Sequence, residues 1–326
     1  YLSNRNQRVV VSGSSSKQYY LKFGVLQGSC LGPLLFVIYS SELYQIIINH
    51  LPGVAIFADD SQLWISYKPD SKQNQDSAYE SVQKCLSDIK KWMLKKKLKM
   101  NDGKTEFLLI GTKQQLKKID HRPIQIGNEL VESMHFARNL GCWFDGNMSF
   151  KTQINKTCSA GFFHLRNINR IKKFLSPELT ESLIPYFITN KLDYCNSLLY
   201  GVPNSDLVKL QRIQNAAARL ISNSDRFCHI TPVLRDPHWL PIKLCIQYKI
   251  LLITFKALHN LAPSYVKELI TLKRSTKYTL RSDNSLLLSV PAARSFKTLG
   301  DRAFSYSSPY LWNRLPSYIR NLKSLQ

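Results

Sequence analysis

The sequence predicts an α/β fold for residues 1–150, followed by an all-α region. In the first part, short β-rich runs at 54–58 and 63–67 enclose a polar turn, which is the pattern of a β-hairpin. From Lys151 onward, apolar residues recur at helical spacing. Hydrophobic residues make up 44% of the 326, so the chain can build a sizeable core and disorder is not expected.

The charge of the chain indicates its class of partner. Lys and Arg number 45 against 22 Asp and Glu, giving a formal net charge of +23. Such an excess favours polyanions, and nucleic acid ranks ahead of a membrane surface because no apolar run approaches the ~18 residues that span a bilayer. The seven cysteines are scattered without a Cys-x-x-Cys pair, which favours free thiols over a disulfide framework or a zinc site.

The N-terminal third is expected to be a hairpin, a glycine-rich loop and a helix. Residues 8–23 place two β-rich runs around a Ser-Gly-Ser-Ser-Ser turn. Glycines and Pro33 interrupt regular structure in residues 24–36, and a helix is expected over 34–43. Gly28 allows backbone to approach a ligand without a Cβ in the way.

The most informative stretch is 53–67, which carries Asp59 and Asp60 side by side among apolar residues. Two adjacent carboxylates repel each other, and partial burial adds to the free-energy cost of keeping both charged. A bound divalent cation removes this cost, and hard oxygen ligands on a rigid hairpin suit Mg²⁺. The alternative is an ordinary hydrophilic hairpin turn.

The next element is predicted to be an amphipathic helix with an apolar stripe that ends near 101–103. Between Lys84 and Lys118 there are eleven Lys against three acids, which is typical either of a solvated face or of a nucleic-acid contact. The stripe consists of Val82, Leu86, Ile89 and Met93.

The second half is predicted to be helical. Ser176 and Pro177 form a helix start, and Pro185 should end or kink that helix. Further helices are expected over 207–220 and 242–258, and the chain from Lys273 holds ten Lys and Arg against two Asp, with aromatic residues interspersed. That composition fits single-strand binding or a poorly packed tail. The helical pattern that begins at Lys151 has an apolar stripe made of Ile154, Cys158, Phe162, Leu165, Ile168 and Ile171.

Residues 24–36 and the Phe-Ala-Asp-Asp box at 57–60 together resemble the reverse transcriptases of non-LTR (LINE-type) retrotransposons, of the CR1/L2-like branch. The first stretch resembles motif B of that family and the second its motif C. The resemblance continues to the C-terminus. It implies a partial right-hand polymerase palm over 1–150 with motifs B to E, a helical thumb over 151–228 and a basic C-terminal extension over 229–326.

The resemblance also implies roles for individual residues. Asp59 and Asp60 would hold Mg²⁺, with Phe57 and Ala58 completing the substrate-binding box.

Gln27 and Gly28 would line the pocket for the incoming nucleotide and the template base. Residues 99–110 resemble motif D, which makes Lys104 the candidate general acid for the leaving pyrophosphate. Residues 140–145 resemble the element that grips the primer, although Trp143 and Phe144 could equally be ordinary core.

By the same resemblance, motif A and its metal-binding aspartate would lie before residue 1, so the chain looks like a C-terminal fragment. The expected partners are an RNA template, a DNA primer and dNTPs, with no membrane, and the expected site of action is the nucleus, with a cytoplasmic form bound to its RNA. Secretion is not expected. Two alternatives stay open, a non-catalytic nucleic-acid-binding remnant and an inert remnant of a decayed element.

Overall fold

The structure is a computed structural model that describes residues 2–26, 28–127, 129–225, 227–273, 286–291 and 299–322. The chain divides into two compact units, Tyr1–Met134 and His135–Gln326. Both contain helices and strands, so the chain has a mixed α/β architecture.

The described part of unit 1 combines short paired strands with one long helix. The strands are β1 (Asn6–Gln7), β2 (Val10–Val11), β3 (Ser14–Ser15), β4 (Tyr19–Tyr20), β5 (Gly53–Phe57), β6 (Asp60–Trp64), β7 (Phe107–Leu108), β8 (Ile124–Ile126), β9 (Glu129–Val131) and β10 (Ser133–Met134). The helices are α1 (Gly32–Ser40), α2 (Glu42–Ile48), α3 (Lys72–Lys95) and α4 (Lys113–Leu116), with a 3₁₀ turn at Asp102–Lys104.

The core of unit 1 lies between α2, α3 and the β5–β6 hairpin. Buried Leu43 and Ile47 of α2 meet buried Cys85 and Ile89 of α3, and the hairpin covers them. A second cluster forms where the β8–β9 hairpin packs on α3. The Ser71 side chain accepts a hydrogen bond from the Asn74 backbone N–H, which fixes the start of α3.

The helix expected over 34–43 is instead two helices, α1 and α2, separated at Ser41. The hydroxyls of Ser40 and Ser41 both donate to carbonyls of the preceding turn, at 2.8 Å to Phe36 and 2.8 Å to Ile38. Such back-bonding competes with the helical ladder and favours a break.

Unit 2 opens with a hairpin of strands β11 (Phe136–Asn139) and β12 (Cys142–Asp145) and continues as helices. Its described helices are α5 (Lys151–Ile171), α6 (Pro177–Ile184), α7 (Asn190–Asp193), α8 (Asn204–Ser222), α9 (Ile230–Arg235), α10 (Ile242–Leu258), α11 (Ser264–Lys267), α12 (Phe304–Trp312) and α13 (Ser317–Arg320). Four short helical segments also occur: 3₁₀ turns at Lys172–Phe174, Asn196–Leu199 and Gly300–Arg302, and a π-helix at Pro185–Thr189.

The main core of unit 2 lies where α5 and α8 cross and where α10 packs against α8. Gly161 of α5 sits against Ile213 of α8, and a Cβ there would lie 2.9 Å from the Ile213 Cγ2 atom. The helices approach so closely because position 161 carries no side chain. Phe162, which the sequence pattern assigned to the buried stripe, is 40% exposed as a result.

Prolines and serines set the ends of α6 as the sequence predicts. The Ser176 hydroxyl accepts a hydrogen bond from the Leu179 N–H, and Pro177 is the first helical residue. The α-helix ends at Ile184, and Pro185 begins the π-helix.

No helix among the described residues is both long enough and apolar enough to cross a bilayer.

Candidate functional site

The two adjacent aspartates lie at the tip of the β5–β6 hairpin. The strands pair in register from Gly53 opposite Trp64 to Phe57 opposite Asp60. Only Ala58 and Asp59 therefore form the turn, whereas the sequence pattern placed four polar residues between the strands. Asp60 begins β6, so the two carboxylates leave the backbone from different local structures, a turn and a strand.

Strand alternation decides which face of the hairpin is open. Val54 and Ile56 pack on the unit 1 core, while Phe57 and Asp60 lie on the opposite face. Phe57 is 66% exposed. Ala58 has φ +54°, in the left-handed region that alanine seldom adopts, so backbone strain is held directly beside the aspartates.

A glycine and a tryptophan hold the hairpin in register. A Cβ at Gly53 would lie 2.1 Å from the indole Nε1 of Trp64, so the Trp64 ring lies directly over the glycine. Gly53 is buried under that ring. Since a slip of one residue would turn every side chain to the other face, this pair fixes where Asp59 and Asp60 are presented.

The carboxylates of Asp59 and Asp60 are exposed, in contrast to the expected partial burial. Within the described ranges, no Lys or Arg forms an ion pair with either of them. Their hard oxygen donors suit Mg²⁺. In the part of the chain that the structure describes, no group of three His, Cys, Asp or Glu side chains converges. The pair therefore offers two carboxylates whose donor chemistry fits this metal.

Gly28 lies in a turn closed by a 3.1 Å hydrogen bond from the Ser29 N–H to the Leu26 carbonyl. Its φ is +81°, and a Cβ would meet nothing within 4 Å. The turn needs glycine for its backbone conformation, and the space beside the residue is open. Gln27, its predicted partner, lies outside the described residues.

Lys104 ends the 3₁₀ turn Asp102–Lys104, and its side chain is exposed. Its N–H donates to the Asn101 carbonyl at 3.1 Å. Among the described contacts, no hydrogen bond or ion pair joins Lys104 to Asp59 or Asp60. The role assigned to it by resemblance therefore stays a prediction.

The Asp145 carboxylate, singled out in the sequence only through its motif, organises the start of α5. One oxygen, Oδ2, accepts from the Phe150 N–H at 2.7 Å and the Ser149 hydroxyl at 3.0 Å. The other, Oδ1, accepts from the N–H groups of Ser149 at 2.9 Å and Asn147 at 3.2 Å. Arg302, far along the chain, donates to the Met148 carbonyl at 2.8 Å and lies over the Phe150 ring. The fragment Asp-Gly-Asn-Met-Ser was the available signal, because Asp, Gly, Asn and Ser favour such local backbone bonds.

Comparison with known proteins gives a family match and similar curated proteins. Residues 1–144 match the family model described as "Reverse transcriptase (RNA-dependent DNA polymerase)". The chain is 26% identical over 249 residues to the "Probable RNA-directed DNA polymerase from transposon X-element" of Drosophila melanogaster, covering 72% of this chain and 26% of that protein. It is 24% identical over 246 residues to the "Probable RNA-directed DNA polymerase from transposon BS" of the same species, with the same coverage.

The chain thus spans about a quarter of the length of the curated relatives it matches. No solved structure matches it significantly. Reverse transcriptases generally use a divalent metal, usually Mg²⁺. The matched segment contains the Gly28 turn, the Asp59–Asp60 hairpin and Lys104. Residues 1–144 therefore match the reverse transcriptase family, and the similarity over 72% of the chain to the two transposon polymerases supports a relationship to the reverse transcriptases of non-LTR retrotransposons.

Proposed function

We propose that this chain is the palm and thumb portion of an RNA-directed DNA polymerase of a non-LTR retrotransposon. The observation that carries the proposal is that the family match includes a β-hairpin with two exposed adjacent carboxylates at its tip. The substrates would be an RNA template, a DNA primer and dNTPs. Unit 1 would supply the palm and the helices of unit 2 the thumb, and the protein would act in the nucleus, where the genomic primer lies.

In this proposal Asp59 and Asp60 hold Mg²⁺ as two of its oxygen ligands. Bound Mg²⁺ supplies charge neutralisation on the triphosphate and lowers the pKa of an attacking hydroxyl. The two aspartates orient the reacting groups from a backbone that the Gly53–Trp64 pair fixes in register. Such positioning is the main contribution of the protein in phosphoryl transfer.

The remaining predicted residues would bind the incoming nucleotide and neutralise charge on the leaving pyrophosphate. Gln27 and Gly28 would shape the nucleotide pocket, with the positive φ of Gly28 bringing backbone N–H and C=O groups toward the ligand. Lys104 would donate a proton or a hydrogen bond to the leaving pyrophosphate from its exposed position.

The test is primer extension by the full-length parent polymerase carrying Asp59→Ala or Asp60→Asn. We expect each change to lower the extension rate by about 10²-fold or more, in line with the loss of a preorganised charge-stabilising group. Asp70→Asn, at another exposed aspartate of unit 1, is the matched control and should leave the rate unchanged. Wild-type extension by Asp59→Ala would refute the assignment.

A second candidate is a non-catalytic nucleic-acid-binding role for the chain as given. The net charge of +23 favours it, since phosphate contacts need no metal site. Salt-sensitive binding of an RNA/DNA primer-template by the 326-residue chain, without extension when dNTPs and Mg²⁺ are added, would support this role. Extension that is lost in Asp59→Ala would refute it.

A further inference from the structure

The exposed face of α5 in unit 2 carries a regular series of cationic and aromatic side chains. Lys156, Phe163 and Arg170 are seven residues apart and therefore share one face, with about 10 Å of helix rise between neighbours. The opposite face, with buried Ile154, Gly161, Leu165 and Ile168, packs into the core. The side chain of Phe163 is 52% exposed.

Further aromatic rings lie beside this face near the start and at the middle of α5. Near the start of α5, the Lys156 Nζ lies 5.6 Å from the centre of the Trp143 ring. At its middle, the Phe163 ring meets His164 edge-on at 5.4 Å, and His164 lies 5.2 Å from Phe187 at an interplanar angle of 34°. Phe187 is 42% exposed and comes from the π-helix, a geometry that is frequent at functional sites.

The charge of this region has one sign. From 146 to 177 the sequence holds six Lys and Arg and no Asp or Glu. Burial, followed by the nearby Lys191, lowers the pKa of His164, which favours the neutral imidazole, and its ring adds to the aromatic series. The carboxylate that precedes the region, Asp145, is already engaged by the Ser149 and Phe150 N–H groups. Helix α5 itself therefore carries positive charge and no acidic residue.

This combination points to a specific kind of partner. Cations alone would suit any polyanion through its phosphates. Exposed rings at intervals between the cations match unpaired bases, because every base has a face that stacks on an aromatic side chain. A duplex keeps its bases stacked inside, so the rings would have nothing to contact.

We propose that the exposed face of α5 binds single-stranded nucleic acid, with bases stacking on Phe163 and Phe187 and phosphates contacting Lys156, Arg170 and Lys191. This surface lies entirely within unit 2. It goes beyond the proposed polymerase activity and does not depend on Asp59 or Asp60.

The test is a fluorescence-anisotropy titration of the full 326-residue chain with a labelled 12-nucleotide oligothymidylate and with a 12-base-pair duplex. We expect Phe163→Ala to weaken single-strand binding about fivefold or more and duplex binding less than twofold. Phe163→Tyr keeps the ring and should keep the affinity. Lys156→Ala and Arg170→Ala should each lower the slope of log affinity against log salt by about 0.7 for the single strand.

Two variants serve as matched controls. Phe227→Ala removes a ring that is 90% exposed in the loop after α8, and Lys256→Ala removes an exposed cation of α10. Circular dichroism of all variants shows whether they fold, and the half-exposed Phe163 is not a core position. Equal affinities of Phe163→Ala and Phe227→Ala for the single strand would overturn the proposal. Equal weakening of single-strand and duplex binding by Phe163→Ala would do the same.

Discussion

Replacing Asp145 by Asn should destabilise unit 2, because this carboxylate holds the loop that starts α5. Phe150 is 3% exposed and has φ +59°, an unfavourable conformation for a bulky residue. Its N–H donates to Asp145 Oδ2 at 2.7 Å, and the Ser149 hydroxyl donates to the same oxygen at 3.0 Å. In Asp145→Asn the amide oxygen can still accept from the N–H groups of Asn147 and Ser149. The NH₂ group then faces the Phe150 N–H and the Ser149 hydroxyl, which lose their acceptor.

The magnitude follows from the two lost hydrogen bonds. A hydrogen bond to a charged group contributes about 1.5–3 kcal/mol. Allowing for the partial exposure of Asp145, we expect Asp145→Asn to lower the free energy of unfolding by about 2–4 kcal/mol, and Asp145→Ala by somewhat more. Exchange of the amide hydrogens in the first turn of α5 should speed up in parallel.

Urea denaturation followed by circular dichroism measures the free energy, and hydrogen-exchange mass spectrometry of residues 143–165 locates the change. Asp225→Asn is the control, because that exposed carboxylate accepts one backbone hydrogen bond, from Phe227 at 3.1 Å. The control should cost less than about 0.5 kcal/mol. A cost that small for Asp145→Asn, with unchanged exchange at α5, would refute the reasoning.

Three further outcomes are expected. Gly28→Ala should destabilise unit 1 by about 1 kcal/mol in urea titrations, since φ is +81° there, and a neutral result would show that the turn adapts. Burial raises the pKa of the Cys142 thiol to about 12, so at pH 8 a thiol reagent should label exposed Cys228 rapidly and Cys142 only after unfolding. The hydrogen bond from Trp92, at 3.0 Å, is the main cause of the lowered pKa of Glu42. Its stabilising effect is present at neutral pH and is lost as the pH falls below the ordinary value of 4.5, so Glu42→Gln should flatten the acid limb of a stability–pH curve.

Local signals in the sequence predicted several elements well. The apolar run after Pro241 predicts the helix over 242–258, and α10 has those bounds. Ser176 with Pro177 predicts a helix start because both act within one turn of the backbone. The family resemblance, which rested on 24–36 and 57–60, is confirmed by the comparisons. The roles of the individual site residues stay predictions.

Features that depend on distant neighbours could not be predicted. Periodicity alone assigned Phe162 to the core, whereas the neighbouring Gly161 occupies the contact with α8, and only the packing partner decides between them. The two-residue turn could not be predicted because Ala58 adopts a positive φ, and turns of that kind are recognised in a sequence by Gly, Asn or Asp. The support of the α5 loop by Arg302 joins residues about 150 positions apart, which no local pattern records.

The indole of Trp64 over Gly53 also bears on how this hairpin can vary through evolution. Any substitution at position 53 adds at least a methyl group where the ring now lies, and loss of the ring exposes a glycine that weakens its strand. The two positions should therefore change together among related sequences, a large residue at one accompanying a small residue at the other. In related proteins that keep the aspartate pair but change only position 53 or only position 64, we expect the hairpin to hold the two aspartates in a less fixed register.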